Sequence, residues 1–216
     1  MADGIQFKVC GLRSLADAEC ADESGADYLG FNFYPPSPRA LSLAQYQAIS
    51  ARLPARRKVA VTVEPSREEL VALGEAGFDA LQIHFRTDLP LAQIAAWSEL
   101  AGPERLWFAP KLPPGDDVPV AWLPFARTWM LDTYQAAGFG GSGRVGDWEK
   151  FSRHHRAHPQ QNWILAGGLN PENIGSALRE SGARLVDVNS GVESAPGVKD
   201  HAKLKAFAAA LSAREI

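Results

Sequence analysis

Apolar and polar positions repeat along the chain as one unit: a short β-rich apolar run, a turn, an amphipathic stretch rich in Ala, Leu and Glu, then Gly or Pro. The pattern predicts strands near 5–10, 28–34, 58–64, 80–85, 106–112, 128–133, 162–167 and 185–190. It predicts helices near 14–24, 42–53, 66–76, 90–101, 147–157, 171–181 and 199–213. The connection near 116–126 is only weakly helical, because Pro113, Pro114, Pro119 and Pro124 punctuate it. Eight strands alternating with helices imply a parallel sheet with helical crossovers. At about 27 residues per unit, the 216 residues suit one closed (β/α)8 barrel, a single domain over 1–216 with the helix after strand five short or missing. An open doubly wound sheet would show a Gly-x-Gly-x-x-Gly turn after its first strand; Cys10-Gly11-Leu12-Arg13 stands there instead.

Local signals mark the helix ends. Ser66-Arg67-Glu68-Glu69 has the form of a capping box. Asn170-Pro171 places a cap residue before Pro at an expected first helical position. Gly25, Gly77 and Gly182 fall where helices one, three and seven should stop.

In a parallel barrel, alternate strand residues point to the interior or to the helices. Phe7 and Val9 share one parity and Lys8 and Cys10 the other, so assigning the aliphatic parity to the helix layer turns Cys10 inward at the C-terminal end of its strand. The same rule sends Trp129 and Leu131 outward and Asp132 inward. It also gathers Asn32, Glu64, Gln82, His84, Asp187 and Asn189 at the C-terminal rim, where barrel enzymes carry their sites.

Composition narrows the function. With 22 Lys and Arg against 25 Asp and Glu, the formal charge is −3, which is not the basic excess of a nucleic-acid binder. The scattered tryptophans form no stacking platform for bases. No apolar run approaches the ~20 residues of a membrane span, and no signal peptide is visible at the start. Two cysteines, Cys10 and Cys20, make no disulfide framework and suit a cytoplasmic setting, with Cys20 a packing residue. His154, His155 and His158 share one predicted helix, but without a Cys or acidic partner they read as a solvated face, and no metal site is expected.

Strand seven runs into Ala166-Gly167-Gly168-Leu169-Asn170, and strand eight into Asn189-Ser190-Gly191-Val192-Glu193. Glycine turns on these two strands let backbone N–H groups approach an anion, and a helix N-terminus adds its positive end. Together they point to a phosphate-bearing ligand held by Gly167, Gly168, Ser190 and Gly191. The turns after strands three and four carry no glycine, so one phosphate is expected rather than two. The Gly-rich run from Thr133 to Asp147 reads either as a lid over the mouth or as a flexible connection.

Several short segments occur in a specific order: Lys8-Val9-Cys10-Gly11, Gly30-Phe31-Asn32-Phe33 through Ser37-Pro38-Arg39, Gln82-Ile83-His84, Leu131-Asp132 with Phe139-Gly140-Gly141-Ser142-Gly143, Ala166-Gly167-Gly168-Leu169, and Asp187-Val188-Asn189-Ser190-Gly191-Val192-Glu193. As an ordered set, from about Lys8 to the last helix, the chain resembles phosphoribosylanthranilate isomerase, an enzyme of tryptophan biosynthesis. The resemblance implies a cofactor-free Amadori rearrangement, with Asp132 as acid and Cys10 as base. It implies Arg39 for the substrate carboxylate, the glycine turns for the ribose phosphate, and Asp187 and His84 for orienting the sugar or ring. A monomer or homodimer is compatible with it. Taken singly, Cys10 reads as core, Asp132 as a turn cap and Arg39 as a surface charge. The chain departs from the family pattern at Phe85, where Gly is usual, at Asn189, where Ser is usual, and at Glu64, where Asn is common; Phe108-Ala109-Pro110-Lys111 fits it loosely, and by motif position these departures are expected near the mouth.

Two other functions compete. A histidine-pathway isomerase would run the same rearrangement, but resembles a two-phosphate barrel with Asp in place of Cys10. A barrel that only binds a ligand would need neither Cys10 nor Asp132.

Overall fold

The computed structural model describes residues 4–133 and 146–213. Eight parallel strands close in chain order: β1 (Gln6–Val9), β2 (Tyr28–Asn32), β3 (Arg57–Val63), β4 (Ala80–Arg86), β5 (Leu106–Lys111), β6 (Thr128–Leu131), β7 (Asn162–Leu165) and β8 (Leu185–Val188). The barrel shuts where β8 pairs with β1, Gln6 opposite Leu185 through Val9 opposite Val188. Helices follow the strands: α1 (Leu15–Glu23), α2 (Leu43–Ser50), α3 (Arg67–Glu75), α4 (Leu91–Ala101), α5 (Trp148–Ala157), α6 (Ile174–Ser181) and α7 (His201–Ser212). No helix among the described residues is long and apolar enough to cross a membrane.

Alternation along the strands builds two apolar layers, and β3 reverses the expected parity by turning its valines inward. Val9, Leu29, Phe31, Ile83, Phe108 and Trp129 join the cluster beneath the helices. Cys10, Val59, Val61, Trp107, Ala109, Met130 and Ile164 form a second cluster inside the barrel. In the lower interior the Tyr28 ring meets Trp107 edge-on, their centroids 4.9 Å apart.

The fifth crossover holds only a 3-10 turn, Val120–Phe125, with Pro124 inside it. Proline withholds backbone donors, so an α-helix does not propagate there. Trp122 and Leu123 are buried nonetheless and fill the missing helix's place. Phe85 meets this turn, its ring 5.7 Å from both Trp122 and Trp97 and 5.2 Å from Phe108. The departure at Phe85 therefore lies in the helix layer and not at the mouth.

Helix ends follow their capping chemistry. Ser66 and Glu69 form the expected capping box at α3, and Ser42 with Gln45 forms another at α2. Gly25, Gly77 and Gly182 lie at positive φ just past α1, α3 and α6. The α6 start differs from expectation, because Pro171 is not helical. Asn170 Oδ1 accepts from the Glu172 and Asn173 N–H groups, and the Asn173 amide donates to the Gly168 carbonyl. This closed turn delays the helix to Ile174.

Two other expectations are corrected. Glu64 does not face the interior; Val63 has that parity. Glu64 adopts φ 43° and pairs with Arg86 at 3.0 Å on the outside. His154 is buried rather than solvated, its Nε2 accepting from the Val118 N–H at 3.1 Å.

Replacing Phe85 by Ala should cost about 3–5 kcal/mol, read as a lower urea midpoint. Because the ring lies behind the strand, the Michaelis constant of the folded variant should stay that of the native chain; a large rise would place Phe85 at the ligand.

Candidate active site

One cavity opens at the C-terminal ends of the strands. Cys10, Arg39, His84, Asp132, Gly167, Gly168, Asp187 and Ser190 all line it, with Asn32, Tyr34, Ser37, Gln82 and Asn189. Gly191 does not. It lies behind, where an added Cβ would fall 1.9 Å from the Leu169 carbonyl oxygen, so glycine lets the β8 turn press against the β7 turn.

The floor is charged. Lys8, fully buried in β1, donates from Nζ to Asp187 Oδ1 at 2.7 Å across the β1–β8 seam. Burial alone favours a neutral amine there, but Asp187 and then Cys10 hold the lysine above its ordinary range, so it stays charged. Cys10 sits one inward position further along, its N–H donating to the Val188 carbonyl at 2.9 Å. Burial pushes its thiol up, and Lys8 opposes part of that rise. Cys20 is likewise free and buried, but in the helix layer.

Asp132 is the first residue beyond β6, and its Oδ1 accepts from the Thr133 N–H at 2.7 Å. Its side chain meets solvent at the mouth, yet the protein packed around it raises the carboxyl to about 6. Burial is the largest cause and Asp187 adds to it; the Thr133 N–H and Lys8 work against it. A side chain at Gly167 would collide here, since a Cβ would stand 2.1 Å from Thr133 Oγ1 and 3.1 Å from Asp132 Oδ1.

His84 faces the cavity from β4. Burial, helped by Lys8, lowers its imidazole to about 4, so it is neutral near pH 7. Its Nε2 lies 2.7 Å from the Gln82 amide nitrogen.

Arg39 arrives on the segment after β2, which an isolated bridge between Asn32 and Ala40 ties to the barrel. Its guanidinium is gripped in a fork by Glu193, Nε to Oε1 at 2.8 Å and Nη2 to Oε2 at 2.7 Å. Lys199 donates to Glu193 Oε1 at 3.0 Å and to Asn189 Oδ1 at 2.9 Å. Glu193 and Lys199 belong to a hairpin, β9 (Glu193–Ala195) with β10 (Val198–Lys199), inserted after β8. The side-chain bonds to Glu193 raise Arg39 further. Burial would raise Glu193, but Arg39 and Lys199 bring it below the ordinary carboxylate range.

Gly167 and Gly168, at φ 92° and 62°, turn the chain after β7. A short 3-10 turn, Ser190–Val192, follows β8. Paired loops of this kind, with a short extra helix, form the usual phosphate site of (β/α)8 barrels. The described residues contain no group of three or more His, Cys, Asp or Glu able to hold a metal. The Gly-rich run after β6 lies, over 134–145, outside the described residues.

Sequence reading missed Lys8, Glu193 and Lys199 as parts of the site. Lys8 carried a signal: a lysine of inward parity in mid-strand needs an internal counter-ion. Glu193 and Lys199 carried none, because their meeting depends on the hairpin.

A closed parallel barrel with its polar residues collected at the strand C-termini defines a (β/α)8-barrel protein whose chemistry sits at that mouth. The family model described as N-(5′-phosphoribosyl)anthranilate isomerase matches residues 7–210. An enzyme of that name from Cereibacter sphaeroides is 41% identical over 211 residues, spanning 94% of this chain and 97% of its own. The phosphoribosyl anthranilate isomerase of Thermus thermophilus superposes with a TM-score of 0.80 at 30% identity, covering 97% of this chain and 99% of its own. A further structure of such an isomerase, in complex with reduced 1-(o-carboxyphenylamino)-1-deoxyribulose 5-phosphate, has a TM-score of 0.77 at 30% identity, with coverage of 97% and 99%. The chain belongs to the N-(5′-phosphoribosyl)anthranilate isomerase family.

The raised Asp132 carboxyl has a thermodynamic consequence. Between its unfolded value near 4 and about 6, the folded chain binds the extra proton, so this group's contribution to stability falls as pH rises through that window. Asp132→Asn should therefore melt above the native chain at pH 7–8, with the gain shrinking towards pH 4. Melting curves of the two proteins across pH check this, and a gain independent of pH would contradict the assignment.

Proposed function

We propose that this barrel converts N-(5′-phosphoribosyl)anthranilate to 1-(2-carboxyphenylamino)-1-deoxyribulose 5-phosphate, a step of tryptophan biosynthesis, in the cytoplasm. The observation that carries the reading is that Cys10 and Asp132 line one cavity in a chain of this family.

Asp132 gives its proton to the furanose ring oxygen as the C1′–O bond breaks, and the anilino nitrogen supplies the electron pair. The Cys10 thiolate then removes the C2′ proton, giving an enolamine. Moving the O2′ proton to C1′ completes the ketone. Only protons move, so the balance requires no electron carrier. A carboxyl near 6 is a suitable acid at neutral pH. Arg39, fixed by Glu193, faces the substrate carboxylate, while Asp187 and neutral His84 orient the sugar or ring. Gly167, Gly168 and Ser190 hold the phosphate on their backbone, and Gly191 sets the turn that presents it. Cys10 in place of Asp favours this substrate over the histidine-pathway one.

Loss of anthranilate fluorescence from substrate generated in situ tests the reaction. Native protein should quench it rapidly. Cys10→Ala and Asp132→Asn should each lower turnover by about 10²–10⁴-fold. Unchanged turnover in either variant would remove that residue's role, and no turnover by the native chain would overturn the proposal. Arg39→Ala should weaken substrate binding, read as a raised Michaelis constant.

A further inference from the structure

The reaction asks for a thiolate at Cys10, yet the thiol is buried, and burial disfavours the anion. We propose that Lys8, kept charged inside the barrel by Asp187, sets the charge of Cys10 and thereby makes it a base. Lys8 is a positioning residue, since it acts through the sulfur. The inference rests on the reading of Cys10 as the base.

The geometry carries it. Lys8 and Cys10 are successive inward residues of one strand, and Asp187 stands opposite Lys8 in the pairing with β8. Gly30 of β2 packs against both: a Cβ there would lie 2.7 Å from Lys8 Cε, 3.0 Å from Lys8 Nζ and 3.1 Å from Cys10 Cα. The ammonium is thus bent up under the cysteine, into space that only glycine leaves free. Asp187 takes one of its three N–H groups at 2.7 Å. The ammonium's charge also acts on the sulfur, lowering the thiol against the effect of burial.

The other charges around Cys10 do not supply this. Arg39 and Lys199 both feel the sulfur, but Glu193 holds Arg39 in a fork and Lys199 at 3.0 Å. Asp187 opposes the thiolate, while Asp132 and His84 line the same cavity and themselves feel Lys8. Of the charges around Cys10, Lys8 is the one that favours the thiolate most. Desolvating a lysine inside a barrel is costly. A stabilised thiolate is the use that offsets that cost. When Cys10 takes the C2′ proton it becomes a neutral thiol, and Lys8 keeps its own proton with Asp187 as sole counter-ion.

The test is an ultraviolet thiolate titration in a Cys20→Ser background, with Cys10→Ala as the blank. Lys8→Met keeps the bulk and removes the charge, so the Cys10 midpoint should rise by about one unit or more, a tenfold smaller thiolate fraction per unit at neutral pH. Turnover should fall in proportion and recover as pH is raised. Asp187→Asn leaves the sulfur as the ammonium's anion, so its midpoint should fall. A residue that only filled space would not move the two variants in opposite directions. Equal midpoints in all three proteins, or shifts of one sign, overturn the proposal. Should Lys8→Met fail to fold, Lys8→Met/Asp187→Asn removes both charges together. Its midpoint should lie above the native one, because Lys8 acts on the sulfur more strongly than Asp187 does; a midpoint at or below the native value overturns the proposal. These titrations need no substrate, so they decide the role of Lys8 even if Cys10→Ala retains turnover and the base reading fails.

Discussion

A lysine and an aspartate meet inside a closed barrel, at the seam where the last strand joins the first. Two such groups are tolerated in an apolar interior only if each satisfies the other. The pair therefore fixes more than itself. It locks the register of β1 against β8, calls for a glycine on β2 to admit the ammonium, and bears on the protonation of Cys10, His84 and Asp132. Burial sets the low value of His84, and the lysine's charge adds to it, as it enters the balance at Asp132. The mouth above it is a set of protonation states tuned from below.

That tuning has an internal tension. The same desolvation that makes Asp132 an acid at neutral pH makes Cys10 reluctant to ionise. The proposed acid and base want opposite things from one apolar pocket. The protein answers with asymmetry: Asp132 stands at the solvent edge, capped by a single backbone N–H, while Cys10 lies deeper, above the ammonium. A second charged assembly, Arg39 with Glu193, Lys199 and Asn189, is kept apart by the β9–β10 hairpin.

Most of the barrel was legible in the sequence because its signals are local and repetitive. Period-two alternation assigned Phe7, Val9, Trp129 and Leu131 to the helix layer and Cys10, Gln82, His84 and Asp187 to the interior, and the parity choice failed only on β3 among the strands it was applied to. Prolines disclosed the missing fifth helix. The errors share a cause, which is that they depend on what lies opposite in space. Glu64 points outward because β3 turns Val59 and Val61 to the interior, and Arg86 on the neighbouring strand meets it there. Phe85 looked like a mouth residue by motif position, but an aromatic cage of Trp97, Phe108 and Trp122 claims it. His154 seemed solvated on its own helix until the proline-rich crossover covered it. In the site, single residues could be named, but the clamp of Glu193 on Arg39 spans 154 positions and leaves no trace in local pattern.

The turn after β7 links two halves of the site that chemistry treats as separate. Gly167 lines the cavity, and its missing side chain is also the space in which Thr133 and Asp132 sit. In the proposed reaction, grip on one end of the substrate and delivery of a proton to the other are thus joined by a small shared emptiness. A lineage drifting towards a different ligand could not remodel that turn alone, because any side chain placed there would push against the acid. The route to new specificity is narrowed there and left open at the hairpin, where Arg39 is held by residues that do not touch the acid at all.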